Sequence, residues 1–216
     1  MCEAAPLGGA LASRKAPAKP DRSTQDRRFL CQLVSVESGE LCFEPPVPKS
    51  PPVHRVALFS RDRRYRYRVG RRWGDGAAVA FILLNPSTAD EIREDPTIRR
   101  CIGFARALGY GALEVVNLYA YVATDPAELR RAEYPVGRYN DRHIEAALRE
   151  FERVVLAWGV HAARLGRPEE VLGLLQRMGV EPHCLRLTAS GHPEHPLRLP
   201  QGCGLVRFDG EVGKVE

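Results

Sequence analysis

Three stretches of the chain carry polar side chains able to do chemistry, each directly after an apolar run. The first is LLNPSTAD at 83–90. Pro86 removes a sheet donor and biases Asn85 toward extended backbone, so a strand cannot continue through it. The Asn85 carboxamide is thereby presented from a stiff loop, with Ser87, Thr88 and Asp90 beside it. An amide is not a base; its roles are to orient a water or polarise a leaving group, whereas a partly buried Asp90 could take a proton. The competing reading is an Asx-type turn in which Asn85, Ser87 and Asp90 satisfy neighbouring backbone groups. In the second stretch, Asn117 interrupts VVNLY at 115–119, where a polar side chain is costly without partners. Its amide offers a donor and an acceptor, which suits the edge of a flipped nucleobase, or else a loop backbone. The third stretch, TASGHPEHPL at 188–197, holds His192 and His195 in a loop stiffened by Pro193 and Pro196. Either imidazole could stabilise an anion developing on a departing group. His161, after VVLAWG, reads as a structural or supporting residue.

The elements that must position these groups are legible as a pattern. VALFS and RYRYRV read as strands meeting at the polar turn RDR, and AVAFILL (78–84), LEVVNLY (113–119), RVVLAW (153–158) and HCLRL (183–187) as core strands. GLVRF (204–208) reads as an edge strand. Asp95–Pro96 predicts the cap and first residue of a helix bearing Ile98, Cys101, Ile102, Ala105 and Leu108 and closed by Gly109. Asp125–Pro126 opens a short helix, Asn140 or Asp141 caps another, and Pro168 to Met178 forms a fourth ended by Gly179. Alternating strands and helices predict a three-layer α/β/α fold with a mostly parallel central sheet, whose ligands bind beyond the carboxyl ends of the strands. The polar stretches above sit at those ends.

Charge is unevenly spread. The net charge of +5 divides into +1 over residues 1–54 (seven Lys/Arg, six acids), +7 over 55–72 (eight arginines, one Asp) and −3 over 73–216 (seventeen bases, twenty acids). A compact Arg/Tyr segment suits a phosphate backbone; with only four lysines in the chain, it is equally readable as an Arg-rich strand with one solvated face. Residues 1–52 are rich in Ala, Pro, Gly and charge and read as a weakly ordered extension and Pro-rich linker, leaving 53–216 as one α/β domain. The six cysteines show no CxxC and no zinc-type spacing, so they are expected to be reduced thiols, with no metal and no cofactor. Without a secretory signal or a membrane-length apolar run, the expectation is a cytoplasmic, monomeric protein with no membrane partner.

The run WG…FILLNPSTAD…DPTIRRCIGFARALGYG…VVNLYA…TDP…PVG..ND…AWG…HPL, from about Arg55 to Leu199, resembles a domain-of-unknown-function family of bacterial and phage proteins. More distantly it resembles the uracil-DNA glycosylase superfamily. LLNPS resembles that superfamily's Gly-x-Asn-Pro-Gly motif, with Leu83 and Ser87 where glycines stand, and HPEHPL resembles its His-Pro motif with one extra residue. The resemblance implies a uracil-DNA-glycosylase-like fold and a DNA glycosylase that flips a modified, damaged or mismatched base and hydrolyses its N-glycosidic bond, in repair or in defence against modified phage DNA. It further implies that Asn85 positions water with Asp90 as base, and that His195 or His192 stabilises the leaving base. Asn117 would read that base, with Tyr119, Ser87 and Thr88 (and Tyr121) around it. Arg64, Arg66, Arg68, Arg71, Arg72, Arg99 and Arg100 would hold the backbone of double-stranded DNA with a flipped base, or of single-stranded DNA. The alternatives are a nucleoside or nucleotide hydrolase or transferase, and a non-catalytic binder of modified nucleotides.

Overall fold

A computed structural model describes residues 54–164 and 166–210. The expectations for residues 1–52, and for Cys2, Cys31 and Cys42, lie outside the described residues. In chain order the elements are β1 (His54–Phe59), β2 (Arg66–Arg72), β3 (Ala78–Leu83), α1 (Pro96–Ala107), β4 (Ala112–Asn117), α2 (Pro126–Arg131), α3 (Asn140–Glu150), β5 (Val154–Leu156), α4 (Arg167–Arg177), β6 (His183–Cys184) and β7 (Val206–Arg207), with short 3₁₀ turns at Val160–Arg164 and Pro196–Arg198.

The unbroken apolar strands have no face to give to water, and their side chains alternate between two cores. Ala80, Ile82, Val116, Val154 and Leu156 pack with Leu129 of α2, Ile144 and Leu148 of α3, and Val171 and Leu175 of α4. The intervening residues Val79, Phe81, Leu113, Val115 and Val155 pack with Ile98, Cys101, Phe104 and Ala105 of α1. Asp95 caps α1, accepting from Ile98 N at 2.8 Å, and Asp125 caps α2, accepting from Ala127 N at 2.8 Å.

The seven strands lie in the order β1-β2-β4-β3-β5-β6-β7. Pairings β3–β4, β3–β5 and β5–β6 are parallel, whereas β1–β2, β2–β4 and β6–β7 are antiparallel. The expected mostly parallel sheet is therefore corrected to a mixed one. Its parallel centre is flanked by a hairpin on one side and a short edge strand on the other.

Three further expectations are corrected. RYRYRV begins its strand two residues late, because Arg64 and Tyr65 close a turn in which Ser60 N donates to Tyr65 O at 2.9 Å. HCLRL gives only a two-residue strand; Leu187 instead bridges Pro193, folding the chain back on itself. Asn140 and Asp141 do not cap α3. The Asn140 side chain is buried and its Nδ2 donates to Asn117 O (2.9 Å) and Leu118 O (3.0 Å), carbonyls that the ladder leaves free where β4 ends.

Candidate functional site

The chain leaves β3 for β4 on one side and returns to β5 on the other, so the gap beyond β3 and β5 is a topological switch point, where open α/β sheets place ligands. A cleft of about 380 Å³ lies there. Its walls come from the end of β3 (Leu83, Asn85, Ser87), the start of α1 (Asp95, Thr97), the end of β5 (Trp158, Gly159, His161) and the last loop (Glu194, His195, Arg198). Ala123 and Thr124, after β4, complete it, and Arg66 reaches it from β2.

Asn85 is half-buried, and both amide protons are committed. Nδ2 donates to Pro86 O at 3.0 Å and to Ala123 O at 2.7 Å. Two carbonyl partners fix which end of the amide is the nitrogen, so Oδ1 is the atom left to accept. His195 lines the same cleft from the last loop. Its Nδ1 accepts from Leu197 N at 3.4 Å, which places the remaining ring proton of the neutral imidazole on Nε2. Burial, then the Arg198 charge, push its pKa below the ordinary histidine range, with Asp95 acting the other way. Its placement depends on Gly159, whose φ of +75° is a left-handed conformation and whose missing Cβ would lie 3.0 Å from His195 Cβ. Trp158, at the end of β5, borders the cleft, but its side chain is buried in the core at 1% exposure.

Several expected site residues lie elsewhere. Asp90 forms the Asx turn instead: its Oδ1 accepts from Ile92 N (2.7 Å) and Arg93 N (2.6 Å), bonds that hold its carboxyl below the usual range and make it a weak base. It does not line the cleft, nor does exposed Thr88, while Ser87 does. Asn117 is buried at the end of β4 behind Arg66, and Tyr119 belongs to the core beside α2, so neither reaches the cleft. Of the two histidines, His192 is fully buried away from the cleft, and its backbone N donates to Thr188 Oγ1 at 3.1 Å.

The arginine-rich strands also do something other than present a solvated cationic face. Arg66 and Arg71 are 2% and 1% exposed. Arg66 Nη1 donates to Ala89 O at 2.8 Å. Arg71 Nη2 donates to Asp90 O (2.6 Å) and Arg93 O (3.2 Å), and its Nε lies 3.4 Å from Glu94. Arg55 adds a bond to Ile92 O at 2.6 Å and Arg63 an ion pair with Glu91 at 3.2 Å. Four arginines thus hold the 85–94 loop in place. Burial lowers the pKa of Arg66 to about 10, still charged at neutrality, and lowers that of Arg71 against the opposing pull of Glu94. Arg68 is neutralised by Glu114 and Glu150. Arg100 ties α1 to the last 3₁₀ turn through Pro196 O (3.3 Å) and Leu199 O, and Arg99 donates to Glu94 O at 2.9 Å. Exposed Arg64 and Arg72 remain on the surface, Arg72 bonded to Gly74 O at 2.9 Å.

Sequence reasoning missed Asp95 as a cleft residue and gave Arg66 a different role, on the DNA backbone. Asp95 carries a sequence signal, but for a helix cap; a cap at the switch point faces the ligand region as well.

Fold and cleft together define an α/β protein with a cleft at the carboxyl edge of its parallel strands. Residues 66–197 match the model of the family described as "Protein of unknown function (DUF1643)", and the chain belongs to that family. No curated protein and no solved structure matches it. Among the described residues, no helix is long and apolar enough to cross a membrane, and no group of three or more His, Cys, Asp or Glu is placed to hold a metal ion.

Proposed function

We propose that the cleft binds a nucleobase extruded from DNA and that the protein hydrolyses its N-glycosidic bond, on a three-layer fold of the uracil-DNA-glycosylase type. The observation carrying this reading is that Asn85 and His195, far apart in sequence, line one cleft with complementary groups: a bare acceptor oxygen and a neutral imidazole with its proton on Nε2. Asn85 Oδ1 accepts from the attacking water and aims it at C1′ of the sugar. His195 Nε2–H donates to the base as it leaves with negative charge, an interaction stronger in the transition state than in the ground state. The cleft volume of about 380 Å³ suits a base and part of its sugar.

DNA contact, on this reading, falls to exposed arginines outside ion pairs. Arg138 and Arg142 flank the half-exposed ring of Tyr139, at 5.6 and 5.8 Å, with Arg64 also exposed. The sequestering of Arg66, Arg68 and Arg71 favours a second reading, hydrolysis of free nucleosides or nucleotides, which needs no backbone contacts. The two separate in one assay: oligonucleotide duplexes bearing a panel of modified and mismatched bases, and the matching nucleosides, are incubated with protein and scored for abasic sites or free base. Release from duplexes alone supports the glycosylase, release from nucleosides alone supports the second reading, and no release from either overturns both.

A further inference from the structure

Burying a guanidinium without a carboxylate is unfavourable unless acceptors come from elsewhere. Arg68 and Arg71 have Glu114 and Glu94 as partners, whereas Arg66 has no ion-pair partner among the described residues. Its Nη1 makes one bond, to Ala89 O; its Nη2 makes one long bond of 3.5 Å, to Asn117 Oδ1; and its Nε makes none. Each terminal nitrogen therefore keeps an uncommitted N–H on a side chain that lines the cleft. Asp95 lines the same cleft, and it too is half-used: one oxygen accepts from Ile98 N, while the other makes no hydrogen bond among the described residues. The cleft thus offers surplus donors at Arg66 and a surplus acceptor at Asp95.

A phosphate would answer Arg66, but Asp95 and Glu194 balance the two arginines of the cleft, Arg66 and Arg198, so the lining carries no net positive charge to hold an anion. A neutral edge that combines acceptors with a donor answers both groups. Resting on the reading of this cleft as a base-binding site, we propose that Arg66 and Asp95 read a cytosine-type edge. The O2 and N3 acceptors face the guanidinium, and the N4 amino group donates to Asp95. Substituents at C5 leave that edge intact, so C5-modified cytosines belong to the same ligand class. Uracil is disfavoured because its N3–H would face the guanidinium, donor against donor, and its O4 would face the carboxylate.

Asp95→Asn tests this without removing the helix cap, since Asn caps as well as Asp. With its oxygen kept by Ile98 N, the new amide turns a donor toward the ligand. Cytidine, uridine and inorganic phosphate are titrated calorimetrically into wild-type and variant protein, each checked for a cooperative melt. Wild type is expected to bind cytidine at least about tenfold more tightly than uridine, the size of one mismatched buried hydrogen bond, and the folded variant to lose or reverse that ratio. Overturning results are a folded variant with the wild-type ratio, wild type holding uridine or phosphate as tightly as cytidine, or no binding of any probe at millimolar concentration. Base release is scored separately on cytosine- and uracil-bearing oligonucleotides. A cytidine preference without release leaves the edge reading standing and removes the hydrolase.

Discussion

Arg71 decides between two meanings of the arginine-rich hairpin. Its guanidinium is buried, donating to Gly70 O (2.8 Å), Asp90 O (2.6 Å), Arg93 O (3.2 Å) and Val56 O (3.4 Å) beside Glu94. Arg71→Lys keeps the charge but replaces a planar fork with a single ammonium, which cannot reach both the β2 carbonyl and the loop carbonyls. Losing two hydrogen bonds to a charged group, at about 1.5–3 kcal/mol each, amounts to about 3–6 kcal/mol, a large share of a typical domain stability of about 5–15 kcal/mol. Arg71→Met removes the charge as well, leaves Glu94 without it, and should be worse. Equilibrium urea unfolding measures the loss, and limited proteolysis should locate new cleavage in residues 85–94. Salt dependence of DNA binding by folded Arg71→Lys should stay at the wild-type slope. A variant of wild-type stability whose slope drops by about one unit would show that Arg71 touches phosphate and that the loop-clamping account is wrong.

Three other outcomes follow from the geometry. Asn85→Ala should lower base release about 10²–10³-fold, the usual effect of removing one preorganised polar group, while taking the side-chain donor from the Ala123 carbonyl at about 1–3 kcal/mol of stability, the Pro86 carbonyl keeping its bond from Ala123 N; a full loss of the cooperative melt would reduce Asn85 to a turn former. Gly159→Ala, at φ +75° and with its Cβ 3.0 Å from His195 Cβ, should cost about 1–2 kcal/mol and depress release through His195, and unchanged kinetics would detach His195 from the reaction. Burial lowers the pKa of His143, His183 and His195, so the unfolded chain binds more protons just below its own histidine pKa of about 6.5. Stability should therefore fall as pH drops from about 6.5 through the folded-state values and level off beneath them, and His195→Gln should flatten part of that slope in melts recorded from pH 8 to about 5. An unchanged slope would place the His195 ring in solvent.

Local chemistry made much of the fold legible. Asp95–Pro96 and Asp125–Pro126 cap their helices as their residue types require, and the apolar runs at β3, β4 and β5 are the sheet's centre. What escaped depends on distant partners. Arginine's default is solvent, and nothing near Arg66 or Arg71 in sequence signals that carbonyls about twenty residues on will receive them. Asn140 has a cap's chemistry, yet is drawn inward by the carbonyls of Asn117 and Leu118. The antiparallel pairing of β2 with β4 likewise has no local signature, unlike the β1–β2 hairpin around the RDR turn. In the cleft, Asn85, Ser87 and His195 were legible because each follows a strand end stiffened by proline, whereas Asp95 was hidden behind its capping role.

The most direct test of the central claim is a reaction in ¹⁸O-labelled water. Wild-type protein is incubated with oligonucleotides and nucleosides carrying cytosine, C5-modified cytosine or uracil, and both products are weighed by mass spectrometry. Hydrolysis with Asn85-positioned water should give unlabelled free base and a sugar bearing one ¹⁸O at C1′, with the yield collapsing in Asn85→Ala. Wild-type protein that binds these substrates but releases no base, or whose sugar product carries no label, would contradict the account.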